Sequence, residues 1–212
     1  MNPVAIVMPT AGIYDAKKTM GQAMATALVP GGVLPIISPD DNVTGFTATV
    51  NRGFAQVPDG YDVAVLNDDV MGFSLGWLQR LQVALYSRED IGLIGPSGDC
   101  STSPMKDAPG GGEGMISVGW FPFWCALIRA QAFRQVGHLN PAYIHYSSDY
   151  DYCDRLREAN WKVVWFREVV LKHDSGGSGK RKAWAGHDLS LYMNKMKQKR
   201  RRGQWADTVP LS

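Results

Sequence analysis

Cysteine is scarce: three in 212 residues, Cys100, Cys125 and Cys153, scattered along the chain with no CxxC pair. That spacing excludes a disulfide framework and offers no zinc or thiol-redox motif, so free, partly buried thiols are expected. Long apolar runs are also missing. No stretch approaches the roughly 20 residues a membrane span needs. The opening "MNPVAIVMP" places no charged region ahead of its apolar residues. The expectation is a cytoplasmic protein without a transmembrane segment. A formal net charge of +2 is too small for the whole surface to act as a polyanion binder. Internal repeats are absent.

A hydrophobic content of 45% is sufficient for a core at this length, and one globular domain is the default. Charge is unevenly spread. Between Lys172 and Arg202 stand "GKRK" and "KMKQKRRR", with Asp174 and Asp188 as the carboxylates of that stretch, which predicts a basic C-terminal tail.

Apolar runs closed by turn residues predict buried strands at Val4 to Met8, at "VLPIIS", at "DVAVLN" and at "IGLIG". Between them, helical spacing recurs at Met20, Ala23, Met24, Ala27 and Leu28, at Phe46, Val50 and Phe54, and at Trp77, Leu78, Leu81 and Leu85. Alternation of this kind predicts an open α/β sheet with ligands at the carboxyl ends of its strands. From 96 to 114 the pattern lapses into Gly, Pro and Ser, either a lid or a surface excursion. Later, "KVVWF" and "VVLKH" predict two short strands. A helix is expected to begin near Ser148, with acids in its first turn, and a last helix to run from about Leu189 to Arg200.

Asp68 and Asp69 follow a strand that reads as buried. Adjacent like charges there are unfavourable unless a cation or strong donors hold them, although a polar turn would use the same residues. Ser148 and Asp151 have capping-box spacing, and Asp149 lies between them.

The blocks "VAIVMPTAG", "NRGFAQVPDGYDVAVLNDDV" and "GHLNPAYIHYSSDYDYCDRLREANWKVVWFREVVLKHDSGGS", in this order, resemble inverting glycosyltransferases of family 2 with the GT-A fold. The resemblance implies a Rossmann-like, mostly parallel sheet flanked by helices, with a small second sheet lobe. It implies a domain over 1–180, its nucleotide-binding half about 1–95 and its acceptor half about 115–180, followed by a basic helical tail over 181–212. Asp69 and His173 would hold Mn²⁺ or Mg²⁺ against the diphosphate of a nucleotide-sugar donor such as a UDP-sugar. Asp68 would contact the ribose or the cation's waters. Pro9, Thr10, Ala11, and Asp40 or Asp41 would frame base and ribose, with Asn51 and Arg52 near the phosphates. Asp149 would be the general base, and Asp151 would orient the site or pair with Arg155. Trp124, with Trp120, Phe121 and Phe123, would floor the acceptor site. Ser148 departs from the Glu usual at that position. The acceptor hydroxyl would belong to a glycan or glycoconjugate; alternatively, the basic tail would bring a nucleic acid, and the acceptor would be a hydroxylated DNA base. A non-catalytic nucleic-acid-binding module ranks below both.

Overall fold

The structure, a computed structural model, describes residues 1–98, 113–174 and 182–201. Most of the expected lid at 96–114, the "GKR" of 179–181 and the chain beyond Arg201 lie outside the described residues. In order the elements are β1 (Val4–Thr10), α1 (Ala16–Ala25), β2 (Val33–Pro39), α2 (Phe46–Phe54), β3 (Asp62–Leu66), β4 (Val70–Met71) and α3 (Trp77–Tyr86). Then come β5 (Ile91–Gly98), β6 (Met115–Val118), β7 (Cys125–Ile128), α4 (Ala130–Val136), α5 (Ser148–Glu158), β8 (Lys162–His173) and α6 (Lys182–Arg201).

One sheet organises them in the order β2-β1-β3-β7-β5-β8-β4, with β6 also on β8. Parallel ladders join β1 to β2, β1 to β3 and β5 to β8, and carry most of the paired residues. The central β7 runs antiparallel to both β3 and β5. All five residues of β3 and all four of β7 are buried, as a strand covered on both faces requires. Helices are set by local chemistry. Asp15 caps α1 by accepting the Lys18 amide at 3.0 Å. Gly45 opens α2 at φ 93, where a Cβ would stand 2.4 Å from the carbonyl oxygen of Ile144.

The two strands expected at "KVVWF" and "VVLKH" are one, β8. Its register on β5 jumps from Pro96 opposite Phe166 to Ser97 opposite Val170, so Arg167 to Val169 bulge out and the strand continues. That continuation is what reaches β4: Val70 pairs with His173 and Met71 with Lys172. At the opposite end of β3, the buried Asp62 accepts hydrogen bonds from Gln82, Tyr86 and the Ala130 amide at 2.8, 2.8 and 2.9 Å, tying α3 and α4 to the sheet. Among the described residues no helix is long and apolar enough to cross a membrane.

Candidate active site

Two adjoining pockets open at the carboxyl ends of β1, β2 and β3. Pro9, Thr10, Ala11, Asp40, Asp68 and Asp69 line the first, with Ile13, Tyr14 and Thr49. The second, about 480 Å³, is lined by Trp120, Phe123, Trp124, Asp149, Tyr150 and His173, with Ala185 and Leu189 of α6 on one side. Phe46, Asn67 and His145 belong to both, so they mark the junction.

Asp68 and Asp69 are adjacent in sequence but have separate partners. Thr10 Oγ1 donates to Asp68 Oδ2 at 2.5 Å. Burial raises the Asp68 pKa, the Thr10 hydrogen bond opposes this, and the neighbouring Asp69 charge adds to the rise. Asp69 turns to β8. The β4–β8 ladder and the bond from the Asp174 amide to the Asp69 carbonyl at 3.0 Å bring His173 Nε2 to 3.1 Å from Asp69 Oδ1.

That pair fits a divalent cation. Asp69 Oδ1 is buried and makes no hydrogen bond among the described residues, even with the imidazole so close. Adjacent ligands of an octahedral ion with bonds of about 2.1 Å stand roughly 3 Å apart, the separation seen here. Among the described residues no group of three or more His, Cys, Asp or Glu side chains is placed to hold a metal ion, so the remaining positions would fall to phosphate oxygens and water, as is usual for Mg²⁺. Trp124 stacks on His173 with centroids 5.3 Å apart and planes 12° apart, which holds the imidazole in one orientation.

Asp149 lies in the first turn of α5, partly buried. Burial pushes its pKa up to about 6, against the backbone N–H groups of Tyr150, Asp149 itself and Phe123; the Tyr150 amide donates at 2.9 Å. A carboxylate so poised is ionised at neutral pH yet basic enough to take a proton. Around it, Trp120 and Tyr150 face each other at 4.2 Å, and Tyr150 and Tyr192 at 5.5 Å.

No protein-family profile matches the chain. A stretch of 79 residues is 38% identical to the N-acetylglucosaminyl-diphospho-decaprenol L-rhamnosyltransferase of Mycobacterium tuberculosis, covering 36% of this chain and 26% of that protein. The chain therefore matches about a quarter of that curated relative's length. The solved structure of the mannosyltransferase PcManGT from Pyrobaculum calidifontis, in complex with GDP-Man and Mn²⁺, superposes with a TM-score of 0.67 at 9% identity, over 90% of this chain and 64% of that one. GalNAc-T7 with UDP, GalNAc and Mn²⁺ gives the same score and identity over 92% and 48%. The fold is the GT-A glycosyltransferase fold.

On this GT-A sheet, other expected residues fall in different places. Asn51 lies outside both pockets, its amide bonded to the backbone of Leu139 in both directions at 2.9 Å. Arg52 reaches the rim, donating to the Pro39 carbonyl at 2.6 Å and to the hydroxyls of Thr44 and Thr49 at 3.0 and 3.1 Å. Asp40 accepts from the Thr44 amide and hydroxyl at 2.6 and 2.8 Å, which shapes the loop entering α2. Asp151 lines neither pocket. It is buried between Arg155 and Lys195 at 2.9 and 2.7 Å, so the capping box with Ser148 does not form; the N-cap is Ser147, without a side-chain bond. Phe121 is buried and packs against Gly95.

The basic helix α6 is not a free tail. Lys195 pairs with Asp151 and Lys199 with Glu158 and Asp154, so two of its cations turn onto the acidic face of α5. Sequence reasoning passed over Phe46, Tyr14 and His145. His145 stands just ahead of the acidic block in "IHYSSD" and was the most accessible of the three to reading.

Proposed function

We propose that the chain is a metal-dependent, inverting glycosyltransferase that moves a sugar from a nucleoside diphosphate sugar, such as a UDP-sugar, to a hydroxyl of a saccharide or glycoconjugate. The observation that carries this reading is the adjacency of the two pockets: Asp69 lines one, Asp149 the other, and His173, which lines the second, stands 3.1 Å from Asp69 across their junction with Asn67, Phe46 and His145.

In this reading Pro9, Thr10, Ala11 and Asp68 bind the nucleoside, and the diphosphate lies toward Asp69. Asp149 accepts the proton of the acceptor hydroxyl, whose oxygen forms a bond to the anomeric carbon as the bond to the diphosphate oxygen breaks. Attack from the face opposite the leaving group inverts the anomeric centre. Mn²⁺ or Mg²⁺ bound at Asp69 and His173 would neutralise charge on the departing diphosphate. The aromatic walls of Trp120, Trp124 and Tyr150 suit the flat faces of sugar rings and exclude water from the junction.

A glycan hydroxyl is favoured over a DNA base because Lys195 and Lys199, two of the cations a phosphate backbone would need, are engaged by Asp151, Glu158 and Asp154. The test is a panel of nucleotide sugars with Mn²⁺ and with glycan or hydroxymethylated-DNA acceptors, read by mass spectrometry. Calorimetry of UDP binding accompanies it. UDP affinity is expected to drop without metal, and Asp69→Ala to lose the metal-dependent part. Equal binding by both proteins with and without Mn²⁺ would falsify the cation assignment.

A further inference from the structure

Asp188 is completely buried on a helix whose neighbouring positions Gly186, His187, Leu189 and Ser190 are exposed. Its Oδ1 accepts the amide of Ile144 at 3.0 Å, and its Oδ2 accepts those of His145 and Tyr146, both at 2.8 Å. His187 Nδ1 lies 2.8 Å from Oδ1. Three successive amides converging on one anion make a backbone nest, here filled by a side chain 42 or more residues downstream. Burial by itself would raise the Asp188 pKa, but the His145 amide, the His187 ring and the amides of Tyr146 and Ile144 outweigh it and hold the carboxyl below its ordinary range.

The same segment is gripped from its other side by α2. The Thr47 amide donates to the Ile144 carbonyl at 3.1 Å, and the Phe46 amide to His145 Nδ1 at 3.3 Å. Residues 144–146 are thus suspended between α2 and α6. They lead through Ser147, which is left-handed at φ 59 and makes no capping bond, directly into the helix turn that carries Asp149. No side-chain cap holds the entry of α5.

We propose that Asp188 is a positioning residue for the transfer reaction: by gathering the amides of Ile144, His145 and Tyr146 it sets where His145 and Asp149 stand at the junction of the two pockets. This inference rests on the reading of Asp149 as the acceptor base. α6 is then part of the catalytic apparatus through its buried acid, and its basic residues hold the helix in place from the far end.

A tether that merely fastened α6 would affect stability and leave turnover alone. Asp188→Asn keeps the shape but replaces one of the two oxygens facing the amides with an NH₂ group. The expected result is UDP affinity and donor KM within about twofold of wild type, with kcat lowered at least tenfold. Asp149→Asn, assayed in parallel, separates the two ideas. Loss of turnover in Asp149→Asn with normal kcat in folded Asp188→Asn overturns the positioning role alone. Full turnover in Asp149→Asn removes the base reading and this inference with it. Should Asp188→Asn fail to fold, hydrogen exchange on the wild-type protein decides. Protection of the three amides comparable to the α5 interior supports the clamp, and exchange at the rate of open loops overturns it.

Discussion

Asp149→Asn is expected to make the protein more stable while abolishing its proposed activity. Holding Asp149 ionised works against its environment. Its pKa is 3.8 in an open chain and about 6 here, mainly through burial. At about 1.36 kcal/mol per decade of proton affinity, that difference amounts to about 3 kcal/mol at neutral pH, an upper figure because the carboxylate keeps an opening to solvent. The sign follows from proton counting. Between pH 3.8 and 6 the folded chain retains a proton that the unfolded chain has released, so this group lowers stability as pH rises through that window. Asn carries no such charge and can still accept the Tyr150 amide. For a chain of this length about 3 kcal/mol corresponds to a rise in Tm of roughly 6–12 °C. Scanning calorimetry in metal-free buffer at pH 7.5 and pH 5 is the assay. The advantage of the variant should be about 3 kcal/mol at pH 7.5 and roughly half of that at pH 5, because it disappears only as pH falls through the open-chain value of 3.8. Transfer by wild type should fall over the same window as the base becomes protonated, and Asp149→Asn should lose roughly 10²–10⁴-fold in turnover. An unchanged or lower Tm at pH 7.5, or an equal gain at both pH values, would refute the reasoning and leave Asp149 as an ordinary first-turn acid.

Gly45→Ala should cost at least 1–3 kcal/mol, because φ 93 is strained for any side chain and the new methyl would meet the Ile144 carbonyl; chemical denaturation measures it, and a change below about 0.5 kcal/mol would contradict the close approach. Replacing the exposed Lys197, Arg200 and Arg201 with serine should leave transfer to a soluble glycan unchanged. If duplex DNA binds at all, the salt dependence of its affinity should flatten by a slope of no more than about 2.7, three contacts at 0.9 each, and a slope remaining in the variant would mean that cations elsewhere, such as Lys195 or Lys199, reach phosphate.

Strands β1, β2, β3 and β5 were legible because each is a short apolar run ended by Pro, Gly or a polar turn, and α2 and α3 because their apolar residues recur at one-face spacing. β7 and α4 were not, since "VGWFPFWCALIRAQAF" is almost entirely apolar and carries neither period. Arg167 and Glu168 made β8 look like two strands; a bulge lets a strand carry such residues outward without ending, and no local pattern announces it. Asp69 and Asp149 could be found from their sequence blocks. The partnership of Asp69 with His173 depends on a ladder between positions more than 100 residues apart, which only the family resemblance suggested. The basic tail shows the opposite difficulty. Its charge was plain, but the acids that meet Lys195 and Lys199 lie about 40 residues upstream on α5, and Asp188 looked like any solvated helical carboxylate.

The two-residue ladder between β4 and β8 makes the proposed cation site a matter of alignment. Lys172 immediately precedes His173, and the pairing of Val70 with His173 decides which of the two stands beside Asp69. One residue inserted between Leu171 and Lys172, beyond the bulge that could absorb a change further upstream, would move Lys172 into the place of the imidazole. Its ammonium would then neutralise Asp69 as a built-in counterion. Such a chain would keep its sheet and its first pocket and yet have exchanged the proposed divalent site for a salt bridge, so that on the proposed reading a single codon would separate a metal-using scaffold from a metal-indifferent one.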